Sequence, residues 1–266
     1  MTQNETINSF VEYESEKRRI IEPAYRHAIT DANLRKALDT YKPSVVVKAG
    51  VGAGELLLTI AEKAGSCVCV EPSMKAIEMF KAKYAGDQRL AKIQLVNGHF
   101  FALPIDYYKA DMFVCVDYFD FILSSYAMEE FKRATQFEGL YFFGGVVLND
   151  GDVEGLYDDL IRKMNPLHND YYLAGDFKTY MHLKDYTALS DGVETFRLDL
   201  GEFEKYWADA PFNEKKPDRK EIESFIAENK QTLTELYALD GDNRINELYC
   251  TALYRKNRYQ ETPATL

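Results

Sequence analysis

Long apolar runs are missing from this 266-residue sequence, and its first residues, Met1-Thr2-Gln3-Asn4-Glu5, carry neither the basic nor the apolar part of a secretory leader. A bilayer-spanning helix needs about 20 consecutive apolar residues, so no span and no exported leader are expected. Segregated positive charge is lacking too. Against 43 Asp and Glu stand 32 Lys and Arg, a formal net charge of −11. The densest basic stretches, Lys17-Arg18-Arg19 and Lys215-Lys216, lie among acids and read as solvated faces. A surface of that sign repels phosphate backbones. The expectation is a cytoplasmic protein with neither nucleic acid nor membrane among its partners. Cysteine is scarce: Cys67, Cys69, Cys115 and Cys250 all sit in apolar segments and read as packing thiols in a reducing compartment. Cys67 and Cys69 would share a strand face, but no further ligands stand near them, so no metal is expected.

What is present is ordinary globular composition, 46% hydrophobic and 28% charged, without repeats or low-complexity tracts. Residues 1–42 read as an N-terminal helical extension with a break at Pro23. From residue 43 strands and helices alternate. Val45-Val46-Val47 is a β-branched run, followed by a glycine loop and the helical stripe Leu56, Leu57, Ile60, Ala61, Ala64. Further strands are expected at 67–70, 93–96, 112–116 and 140–148, with helices starting at Ser73 and covering 123–136 and 152–164. This alternation predicts an α/β fold, Rossmann-like and doubly wound, around a mostly parallel seven-stranded sheet. The segment 165–240 reads as a helical lid insertion: a polar loop over 165–176, helix over 177–189, a strand over 193–200 and one amphipathic helix from Pro217 to Gly241. A last strand covers 248–254 and completes the main domain, 43–266.

Lys48-Ala49-Gly50-Val51-Gly52-Ala53-Gly54 falls between an expected strand and helix, where glycines let a ligand approach the backbone. Glu71 closes the second strand 21 residues after Gly50, and a carboxylate there can accept hydrogen bonds from the two ribose hydroxyls of an adenosine-type ligand. The spacing separates two ligand classes. A dinucleotide fingerprint needs glycine where Glu55 stands, and an acid at a helix start repels a pyrophosphate. A nicotinamide dehydrogenase is therefore disfavoured against a ligand without phosphate.

At this point residues 43–150, and more loosely the final strand, resemble the class I S-adenosylmethionine-dependent methyltransferases. The resemblance implies S-adenosylmethionine as cofactor, with Gly50, Val51, Gly52, Ala53 and Gly54 around its methionine part and Glu71 on its ribose. It implies Pro72, Ser73 and Met74 along the adenine, with Gly98, His99 and Phe100 matching the segment after the third strand and Leu103-Pro104-Ile105 its continuation. Val116, Asp117 and Tyr118, after the fourth strand, would line the methyl-transfer site. Two positions depart from the family: Lys48 replaces an acid, and His99 replaces the acid that bonds the adenine amino group. The implied reaction is methyl transfer to a small-molecule acceptor. Asp117, Tyr118 and His168 are the candidates for a general base where the acceptor has a proton to lose, and Tyr25 is a candidate contact from the N-terminal helices. Plainer readings stand beside these: Asp117 as a solvated helix start, His168 with Tyr171 and Tyr172 as a wet surface loop. The alternative function, prompted by Lys48, is a methyltransferase-like binding or scaffold protein without catalysis.

Overall fold

The computed structural model describes residues 24–118, 124–165, 167–211 and 216–258. The part of the expected N-terminal extension before Ala24 lies outside the described residues. Helix α1 spans Ala24–Tyr41. Strand β1, Val45–Ala49, follows, its start pinned to the neighbouring strand because Asp111 accepts hydrogen bonds from the backbone of Ser44 (2.9 Å) and Val45 (2.7 Å).

The remaining elements in order are α2 (Glu55–Lys63), β2 (Ser66–Glu71), α3 (Met74–Lys83), β3 (Ile93–Asn97), β4 (Ala110–Val116), α4 (Ser124–Ala134), β5 (Thr135–Val147), α5 (Leu156–Met164), α6 (Ala174–Leu183), β6 (Tyr186–Asp199), α7 (Leu200–Asp209), α8 (Arg219–Glu228), α9 (Lys230–Tyr237) and β7 (Arg244–Lys256). One seven-stranded sheet runs in the order β3-β2-β1-β4-β5-β7-β6. β7 is antiparallel to both β5 and β6, and the other pairings are parallel. The order reverses between β1 and β4, so a crevice opens outside the carboxyl ends of those two strands, where open α/β sheets bind ligands.

Buried side chains cover both faces of the sheet. Val47, Ala49, Phe113, Cys115, Tyr141 and Phe143 pack on one face, with Met128, Phe131, Phe177 and Met181 of α4 and α6. Val46, Met112, Val114, Val116 and Phe142 pack on the other, with Leu34 and Leu38 of α1 and Leu57 and Ile60 of α2. Strand alternation therefore puts Lys48 on the face of Val46, under α1 and α2. A third cluster packs Tyr157, Trp207, Leu233 and Tyr237 of the helices against Phe196 of β6 and Tyr249 of β7. All four cysteines are buried free thiols, and burial pushes Cys67 up to about 12. Among the described residues no helix is long and apolar enough to cross a membrane.

The structure departs from the expected elements in three places. Helix was expected to run to Leu189, but α6 stops at Leu183, and Asp185, in left-handed backbone (φ 65°), turns Tyr186–Leu189 into β6 against β7. The single helix expected after Pro217 is two, broken at Asn229, whose side-chain amide donates to the Phe225 carbonyl and competes with the helical ladder. Helix α7 was not anticipated; Asp199 caps it by accepting from the backbone of Gly201 and Glu202, both at 3.0 Å.

Candidate active site at the carboxyl ends of β1, β2 and β4

The loop from β1 to α2 is built on left-handed glycines. Gly50, Gly52 and Gly54 have φ of 70°, 58° and 94°, values that side chains with a Cβ rarely adopt. Gly50 N–H donates to the Val70 carbonyl (2.8 Å), tying the loop to β2, and the Gly54 carbonyl accepts from Leu57 and Leu58 to start α2. The backbone at Gly52 faces open space: around an added Cβ only the Lys48 Nζ stands within 4 Å, at 3.9 Å.

Glu71 closes β2 and is 2% exposed. Its Oε1 accepts from Ser73 N–H (2.8 Å); its Oε2 accepts from Val51 N–H (2.9 Å) and from the Tyr118 hydroxyl (3.2 Å). Burial raises the carboxyl above its ordinary value, and these three donors with the Lys48 charge pull the other way. Ser73 in turn caps α3, its Oγ accepting from Ala76 N–H. Beside it Met74 is half exposed. Asn97 ties β3 to the same corner by donating to the carbonyls of Glu71 (3.0 Å) and Pro72 (2.9 Å), and Gly98 N–H donates to the Glu71 carbonyl (3.2 Å). His99 is exposed, in a short bridge to Ala102, whereas Phe100 is buried and meets Tyr118 edge-on at 5.5 Å.

Two side chains stand over the glycines. The Tyr118 ring lies across Gly50 so closely that an added Cβ there would fall 2.1 Å from it. The Lys48 ammonium, 2% exposed, donates to the carbonyls of Ala49 (3.2 Å) and Gly50 (2.7 Å). A hollow of about 420 Å³, including its open mouth, is lined by Lys48, the loop from Val51 to Gly54, Val116 and Asp117, with His27 and Thr30 of α1 opposite. Glu71 is not among the lining residues.

Asp117 follows β4 in left-handed backbone, φ 58°, its N–H held by the Gly144 carbonyl. Its carboxylate accepts from Arg26 of α1 at 2.6 Å. Arg26 also stands 3.6 Å from Glu247 of β7 and 4.3 Å from the Tyr249 ring centroid, and Glu247 accepts from the Tyr157 hydroxyl at 3.0 Å. Sequence reasoning did not find Arg26, His27, Thr30 or Glu247; Arg26 and Asp117 are 91 positions apart, with no local signal to link them.

The structure therefore brings Lys48, Gly50–Gly54, Glu71–Met74, Gly98–Phe100, Val116, Asp117 and Tyr118 to one corner. Tyr25 stands in the first turn of α1, and its side chain lies outside the described residues. His168 is not in this corner's hollow: buried, it meets Asp158 at 2.6 Å and stacks near Tyr171, closing the loop between α5 and α6. This replaces the expectation of a wet loop with a fastened one.

Residues 47–143 match the family described as methyltransferase domain. No protein among those curated for function matches the sequence. Among solved structures, the YcgJ protein of Bacillus subtilis is similar with a TM-score of 0.72 and 14% identity, covering 88% of this chain and 100% of that one. The BH2331 protein of Bacillus halodurans C-125 gives 0.74 and 12%, covering 86% and 99%. Geranyl diphosphate methyltransferase, in complex with GPP and sinefungin, gives 0.53 and 11%, covering 83% and 77%. These low identities bear on the fold, while the family match falls on the glycine loop, Glu71 and β4. By that match residues 47–143 form a methyltransferase domain, and the sheet order around it is that of a Rossmann-like α/β fold.

Proposed function

We propose that this chain binds S-adenosylmethionine at the carboxyl ends of β1 and β2 and passes its methyl group to a small organic acceptor. One observation carries the reading: a buried carboxylate at the end of β2, Glu71, whose Oε2 already accepts an O–H donor, that of Tyr118. A ribose hydroxyl supplies the same donor. The open backbone at Gly52 and the half-exposed Met74 beside Glu71 fit a nucleoside with a methionine tail. Bound, the cofactor supplies a methyl carbon made electrophilic by its sulfonium.

In this reading Glu71 holds the ribose, the Gly50–Gly54 backbone holds the methionine part, and Pro72, Ser73, Met74, Gly98, His99 and Phe100 border the adenine. Val116 and Asp117 border the acceptor. Such a displacement is accelerated chiefly by orientation and exclusion of water, so a general base serves only acceptors that lose a proton. Of the three candidates, Asp117 lines the hollow and Tyr118 covers Gly50, while His168 lies outside the hollow, bonded to Asp158. Asp117 is clamped by Arg26, which suits it to orient a polar or cationic acceptor. The net charge of −11 favours such an acceptor over nucleic acid. The Lys48 ammonium on the Gly50 carbonyl, a like charge to the sulfonium, favours one second reading, in which the chain holds the nucleoside without passing on a methyl group.

Calorimetric titration with S-adenosylmethionine and S-adenosylhomocysteine tests the binding. Glu71→Ala is expected to weaken it by about 1.5–3 kcal/mol, the range for a hydrogen bond to a charged group. Undiminished affinity would remove Glu71 from the ribose. Incubation with methyl-labelled cofactor and fractionated cell extract tests the acceptor: label is expected in the low-mass fraction. Label only in protein or RNA contradicts a small acceptor, and tight binding without any label favours the second reading.

A further inference from the structure

The Lys48 ammonium is short of an anion. It is buried on the floor of the hollow and donates to two neutral carbonyls, those of Ala49 and Gly50. An ammonium has three hydrogens, and among the described residues no carboxylate lies within ion-pair distance of this one. Burying a cation without an opposite charge is costly, so the site gains from any ligand that brings one. The ammonium stands at the open edge of the glycine loop, 3.9 Å from where a Cβ on Gly52 would lie. It thus faces the part of the cradle left to a ligand's tail, while Glu71, at the end of the adjacent strand β2, is committed to the backbone of Val51 and Ser73.

We propose that Lys48 is a specificity-determining residue that pairs with the α-carboxylate of the cofactor, so that this site selects adenosyl ligands with an anionic tail. The proposal rests on the reading that S-adenosylmethionine binds here. An acid at this position would attract the tail's ammonium group, whereas Lys48 attracts the opposite end of the same zwitterion. The sulfonium and the α-ammonium repel Lys48, and the carboxylate outweighs them only if it is the group in contact.

Decarboxylated S-adenosylmethionine isolates this contact, since it keeps the nucleoside, the sulfonium and the amine and lacks only the carboxylate. Calorimetry on the unaltered chain is expected to find S-adenosylmethionine bound at least tenfold more tightly than the decarboxylated form. Lys48→Met keeps the length of the side chain without its charge and is expected to reduce that ratio to about threefold or less, with folding checked by circular dichroism. A ratio near one in the unaltered chain overturns the proposal without any variant. So does an unchanged tenfold ratio in a folded Lys48→Met protein. Failure of the unaltered chain to bind S-adenosylmethionine and S-adenosylhomocysteine alike overturns the underlying reading and this proposal with it, an outcome distinct from binding without discrimination.

Discussion

Removing the Tyr118 ring should tighten nucleoside binding. A ligand whose ribose reaches Glu71 must displace the Tyr118 hydroxyl from Oε2, where it sits at 3.2 Å, and lift the ring from Gly50. The lost hydrogen bond to a charged group contributes about 1.5–3 kcal/mol. The edge-on contact with Phe100, with centroids 5.5 Å apart, adds about 0.5–1.5 kcal/mol. Some of this is recovered when the displaced side chain meets water, which leaves a net opposition of roughly 1.5–3 kcal/mol, or about ten- to a hundredfold in affinity. Tyr118→Ala is therefore expected to bind S-adenosylhomocysteine about ten- to a hundredfold more tightly, and Tyr118→Phe, which loses the hydrogen bond and keeps the Phe100 contact, to show most of that gain. Calorimetry at one pH and salt concentration measures both. If Tyr118 also serves the reaction, kcat falls in the same variants while KM for the cofactor improves. Weaker binding by both variants would mean that the ring supports the bound nucleoside rather than opposing it, and would refute the reasoning.

Two further outcomes follow from buried charges. Arg26 sits between Asp117 and Glu247, with side-chain exposures of 15%, 14% and 5%, so Arg26→Met leaves two carboxylates facing each other without their cation. It is expected to cost about 3–5 kcal/mol in a urea unfolding experiment; a loss below about 1 kcal/mol would show that water replaces the guanidinium. Lys256, buried at the end of β7 and bonded to the carbonyls of Lys132 and Thr135, is lowered from 10.5 to about 8 by burial and by the nearby Lys132 charge. Between about 8 and 10.5 the unfolded chain then binds more protons than the folded one, so stability contributed through this group rises with pH across that window. The urea midpoint of the unaltered protein should climb relative to Lys256→Met between about pH 7.5 and 9.5, and parallel curves would contradict the assignment.

The parallel half of the fold was legible because its signals are local. Val45-Val46-Val47 is β-branched, the left-handed turns of the loop demand Gly50, Gly52 and Gly54, and Ser73 stands one residue before a helical stripe. Glu71 was legible for the same reason, as the acid that ends a strand after such a loop. What was hidden is set by partners far along the chain. Tyr186–Leu189 is a strand because β7 supplies its register, although the same residues extend a helical pattern. Asp117 gains Arg26 from α1, and Gly50 gains the ring of Tyr118, through packing that no spacing records. Lys48 was visible as an oddity in a buried strand, but that its ammonium turns onto the carbonyls of its own loop, rather than toward a carboxylate, is a fact of geometry alone.

The central claim is that Glu71 is the ribose-binding carboxylate of an adenosyl site. A crystal structure of the protein grown with S-adenosylhomocysteine tests it most directly. It should find both ribose hydroxyls within hydrogen-bond distance of Glu71, the Tyr118 ring displaced from Gly50 and the ligand's carboxylate at Lys48. A nucleoside bound elsewhere, or a crystal saturated with ligand in which Tyr118 still covers Gly50 and bonds Glu71, would contradict it.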